Sequence, residues 1–172
     1  MILNEDILKK HRQLFENSCV PSSVEMVLKL EGIYEADTFD IQNRYGNKPI
    51  SGDYFDREIY RKGNKAIKFR KRIFIYLPSL FEAVKNELRN KRFVIVPLLT
   101  SIQGNYLMYH THVIYDLTAQ GEYKTFTKFY QNDAIVYVND MEKRFTDNFN
   151  NMIGKLEKDR SGIDILFYEH LA

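Results

Sequence analysis

One cysteine, no tryptophan, four prolines and eight glycines are spread over 172 residues, and each shortage narrows what the chain can be. A lone thiol, Cys19, excludes an internal disulfide framework and a cysteine-cluster metal site. No apolar run, not even Phe93 to Leu99, approaches the roughly 20 residues that a membrane-crossing helix requires. The opening stretch MILNEDILKKHRQ places acids where a signal peptide has its apolar centre, so the expected setting is the cytoplasm, or export without a classical signal. Repeats, low-complexity tracts and Pro/Gly/Ser linkers are missing as well, and residues 1–172 read as a single domain.

What remains is ordinary globular material. At 44% hydrophobic and 28% charged residues, disorder is excluded. The net charge of +2 conceals a segregation. Between Arg57 and Arg72 lie Arg57, Arg61, Lys62, Lys65, Lys68, Arg70, Lys71 and Arg72 against Glu58 alone, so the rest of the chain is net acidic. Such a stretch is a solvated face, or it attracts an acidic peptide or protein. It matches no nucleic-acid-binding motif, and the overall pI of about 8.5 is low for a nucleic-acid domain, so nucleic acid is not the expected partner.

Hydrophobic spacing supplies the order of elements. Val20, Val24, Val27 and Leu28 fall at i, i+4, i+7 and i+8, the stripe of a buried helix. Asn17 or Ser18 can cap it, Pro21 fits its first turn, and Gly32 ends it. Short helices are expected around Phe39 to Tyr45 and Tyr54 to Arg61, with a loop at Gly46 to Gly52 and a short strand at Ile73 to Leu77. Ser79 and Glu82 form a capping box ahead of the Leu80, Val84, Leu88 stripe. Strands are expected over 93–99, 106–117, 123–130 and 134–138. A helix carrying Phe145, Phe149, Met152, Ile153 and Leu156, capped by Asp140, follows, and a strand over 163–168 closes the chain. The sum is an α+β layout, with the cysteine helix packed on an antiparallel sheet.

Chemistry concentrates at Gln13-Leu-Phe-Glu-Asn-Ser-Cys19. A helix N-terminus supplies partial positive charge and free N–H groups that favour a thiolate. The same N–H groups, with the Gln13 amide from six residues upstream, can hold the oxyanion of an acyl-transfer intermediate. A base must then come from elsewhere. His11 is too near in sequence and His170 lies at the end of the last strand. His112, entering the apolar run Val-Ile-Tyr, is the preferred imidazole. His110 shares its strand face, and the two could instead hold a metal if further ligands existed.

Gln13 with Cys19 at a helix start, and a later strand opening at His112, resemble the papain-like cysteine peptidases. The order of QLFENSCVPSSVEMVLKLEGI, SLFEAVKNELRNKRFVIVPLL and HTHVIYDL is closest to the bacterial bacteriocin-processing branch, which cuts leader peptides. The chain departs from that branch at Val20, where Gly is usual, and lacks the Pro that usually follows the Asp. The resemblance implies a papain-like fold, a thiol protease acting on a peptide or isopeptide amide, and no cofactor. Deamidation or acyl transfer on the same fold is open, as is a non-catalytic domain that grips a peptide.

The residue orienting His112 is expected to lie across a hairpin. A turn at Gly121-Glu122 puts Asp133 opposite, with Asn132 beside it. Asp140 is the other candidate, although helix capping accounts for it more simply.

Overall fold

The computed structural model describes residues 3–103, 106–155 and 162–171. In chain order these form α1 (Glu5–Lys10), α2 (Cys19–Leu30), α3 (Asp40–Tyr45), a 3-10 turn (Gly52–Phe55), β1 (Ile59–Lys62), β2 (Lys65–Phe74), α4 (Leu77–Arg89), β3 (Val94–Gln103), β4 (Tyr106–Leu117), β5 (Tyr123–Thr127), β6 (Val136–Val138), α5 (Met141–Lys155) and β7 (Ile163–His170). The strands make one seven-stranded antiparallel sheet in the order β1-β2-β7-β3-β4-β5-β6. The α+β layout read from the sequence is the observed one.

Strand alternation divides the core in two, because successive side chains point to opposite faces of a sheet. On one face Ile67, Phe69, Ile95, Val113, Phe126 and Leu166 pack with Val24, Val27 and Leu28 of α2. On the other face Val94, Val96, Ile114, Ile165 and Phe167 pack with Leu80, Val84 and Leu88 of α4 and with Phe145 of α5. Strands β2, β3, β4, β5 and β7 contribute to both layers, so the face a residue occupies follows from its parity along the strand. That rule decides the candidate site.

Four expectations are corrected. The Arg57 to Arg72 stretch is a β-hairpin, with neither a helix over Tyr54 to Arg61 nor a strand confined to 73–77. Lys62 pairs with Lys65 across a turn in which Gly63 has φ +58°, and Gly-Asn at the tip is a two-residue hairpin signal. The Ser79–Glu82 box does not open a helix. Helix α4 starts at Leu77 with Pro78 in its first turn, where a missing N–H costs nothing. The hairpin from β4 to β5 pairs Val113 with Phe126, so the position opposite His112 falls to Thr127 and not to 132 or 133. The turn closes earlier than expected, through Thr118 N to Glu122 O at 2.7 Å. Leu156 lies outside the described residues. Among the described residues, no helix is long and apolar enough to cross a membrane.

Candidate functional site

The loop leading into α2 is locked by a residue from α3. Gln42, fully buried, accepts through Oε1 from Leu14 N and from Ser18 Oγ, both at 2.8 Å, and donates through Nε2 to Arg12 O at 2.9 Å. Ser18 occupies the N-cap position of α2, yet its hydroxyl is committed to Gln42 and makes no side-chain capping bond. Gln13 is likewise spent within the loop. Its Nε2 donates to Phe15 O at 2.9 Å and to Glu16 O at 3.0 Å, which uses both amide hydrogens. Gln13 therefore holds the shape of the loop and is not aimed at an oxyanion.

Cys19 opens α2, half-buried, with its Sγ 4.0 Å from the carbonyl oxygen of Tyr109 on β4. It packs against the α2-side core. The cavity it lines with His11, Ser22, Met26, Val113 and Lys128 has a volume of about 10 Å³. That admits about one water and no substrate side chain.

His112 is on the other side of the sheet. It pairs with Val96, and directly paired residues share a face. Val96 belongs to the core beneath α4 and α5, whereas Val113, the next residue, belongs to the core beneath α2. The sheet stands between the thiol and the ring, and the expected Cys19–His112 dyad is not assembled. The residue that β4 turns toward α2 between its two histidines is Thr111, buried with an unpartnered Oγ1. Burial, with the charges of His110 and Arg144, lowers the His112 pKa to about 4. Such a ring stays neutral near pH 7, and its Nδ1 is buried without a hydrogen-bond partner.

The remaining imidazoles are also committed. His110 meets Thr127 Oγ1 at 2.7 Å and stacks on Phe129 at 4.1 Å between centroids. His170 meets Glu31 Oε2 at 2.7 Å. His11 is on the thiol's side of the sheet, but both its nitrogens are occupied. Lys29 Nζ lies 2.9 Å from Nδ1, which leaves the proton on Nε2, 2.8 Å from Ser22 O. Burial, reinforced by the Lys29 charge, lowers its pKa to about 3.

The proposed orienting residues serve other ends. Asp133 is highly exposed and faces Arg12 at 3.7 Å. Asn132 Oδ1 accepts from Ala134 N at 2.9 Å within a turn. Asp140 stands immediately before α5 with φ +58°; its carbonyl accepts from Arg144 N at 3.0 Å and its carboxylate from Arg144 Nε at 3.2 Å.

What the sequence reading missed is a buried polar cluster beneath α1. Lys29, 1% exposed, sits 3.7 Å from the centre of the Phe39 ring besides contacting His11. Glu25, one turn earlier on α2, accepts from Ile41 N at 3.0 Å; burial raises its pKa to about 7 while Lys29 is lowered to about 8. Lys128 Nζ donates to Leu8 O and His11 O, each at 2.7 Å. The signal available was the spacing of Glu25 and Lys29 at i, i+4 on a helix otherwise apolar on that face. Among the described residues, no group of three His, Cys, Asp or Glu side chains could hold a metal. Comparison with protein-family models, with curated proteins and with solved structures found no match.

Proposed function

We propose that the chain is a peptide-binding domain of papain-like layout, which holds an extended segment at the edge of β4 beside Cys19 without cutting it. The resemblance of QLFENSC, SLFEAVKNELRNKRFVIVPLL and HTHVIYDL to the peptidases supplies the layout. The observation that carries the reading is the parity of β4, which directs His112 and His110 away from the face on which Cys19 sits. Hydrolysis, deamidation and acyl transfer all draw on a thiol and an imidazole in contact, and so all are disfavoured together.

The edge itself is suited to an extended partner. β5 pairs with β4 only from Val113 to Leu117, so β4 runs on past its neighbour toward Tyr109. Tyr109, Phe129 and Tyr130 lie exposed around this end of the sheet, and such surfaces serve binding more often than solubility. Peptides commonly add to a sheet edge through main-chain bonds, with side chains seated in flanking apolar contacts.

An array of labelled extended peptides incubated with the intact protein tests the reading, with each peptide recovered and weighed afterwards. Binding of a subset, weakened about tenfold by Tyr109→Ala or Phe129→Ala, with every peptide recovered whole, is the expected result. Fragments that disappear in Cys19→Ser would restore the peptidase reading.

A further inference from the structure

The hairpin of β1 and β2 sorts its cations by face. On the α2 side, Lys62 is paired with Glu35 and Lys71 with Asp53. On the α4 side, the register Ile59 to Lys68 and Arg61 to Ala66 aligns Arg61 and Lys68 with Arg70 and Arg72 farther along β2. Of these four, Arg70 pairs with Glu169 of β7 at 3.7 Å. Ile59, 42% exposed, lies among them, so this end of the sheet is not covered as Phe74 and Phe167 are.

We infer that this face binds an acidic polypeptide segment in extended conformation. Lys68, Arg70 and Arg72 alternate along one strand, which spaces them about 6.6 Å apart on one face. An extended peptide with Asp or Glu at every second residue presents carboxylates at the same spacing, so each cation meets one partner in register. Exposed Ile59 adds an apolar contact for a residue between the charges. The same cations could attract a nucleic-acid backbone, but tight single-strand binding also needs aromatic platforms for the bases. Phe74 and Phe167 on this face are buried, with the Arg72 guanidinium 4.8 Å and 5.7 Å from their ring centres.

The test is fluorescence anisotropy with three probes of equal length: a peptide alternating Glu and Thr, a peptide with its Glu residues in one block, and oligo-dT. The alternating peptide is expected to bind tightest, to weaken as salt is raised, and to lose about tenfold or more in affinity with Arg61→Glu/Lys68→Glu. Arg61 is exposed and Lys68 half-buried, and circular dichroism checks the fold of the variant. Tighter binding of oligo-dT, equal binding of the block peptide, or no binding at low salt would each overturn the inference. The β4 edge is read separately through Tyr109→Ala, so failure at one face is distinguishable from failure at the other.

Discussion

Between pH 6.5 and pH 4.5 the protein is expected to lose on the order of 5 kcal/mol of stability. His110 and His112 have pKa values lowered to about 4 and His11 to about 3, in every case chiefly by burial. An unfolded histidine titrates near 6.5. Below that pH the unfolded chain takes up protons that the folded one refuses, so stability falls with acidity, by about 1.4 kcal/mol per pH unit for each ring, until the folded values are reached. Glu25 opposes this. Its folded pKa is raised to about 7, so folding is penalised as pH rises from the unfolded value toward 7, and acidification relieves that penalty. Three rings against one carboxyl leave a net loss comparable with the whole stability of many domains. Urea midpoints measured from pH 7 to pH 4.5 should fall steeply. His112→Phe should flatten part of the slope, and a curve level across this range would show that the rings are not buried as described.

Replacing Gln42 with Ala is expected to cost about 3 kcal/mol, or roughly 10 °C in Tm. One side chain serves Leu14 N, Ser18 Oγ and Arg12 O from full burial, and its removal leaves all three groups without this partner. Glu at the same position cannot donate to Arg12 O and would bury a second carboxyl beside Glu25, which Gln42 contacts, so Gln42→Glu should be no more stable than Gln42→Ala. The first segment to loosen should be the loop before Cys19, read as faster amide exchange at Leu14. A loss below about 1 kcal/mol for Gln42→Ala would mean that the loop is held by other contacts.

Much of the fold was legible because it is written in local spacing. The stripe Val20, Val24, Val27, Leu28 marked α2, Leu80, Val84 and Leu88 marked α4, and apolar content marked β3 and β4. Helix starts were less legible. Ser79 and Glu82 satisfy a capping pattern, but Pro78 lets the helix begin earlier. The β1–β2 hairpin was hidden by its charge, since Lys and Arg dilute alternation, and Gly63-Asn64 was the signal to weigh.

The site was legible in composition and not in geometry. Cys19 lies at a helix start as expected. Whether a strand residue faces it depends on a parity that a shift of one position reverses, and no local pattern separates His112 from Thr111. Asp133 failed for a related reason, because a turn closing through Thr118 and Glu122 puts Thr127 opposite His112. The burial of Gln42 comes from long-range packing, which spacing along the chain does not encode, whereas Lys29 left one trace, its i, i+4 spacing from Glu25.

The most direct measurement is the rate of Cys19 alkylation by iodoacetamide from pH 5 to pH 9, in wild type and His112→Ala, followed by mass spectrometry. With the sheet between sulfur and ring, the two profiles should superimpose. Rapid alkylation near pH 6 that disappears in His112→Ala would contradict the account, because it requires the imidazole to touch the thiol.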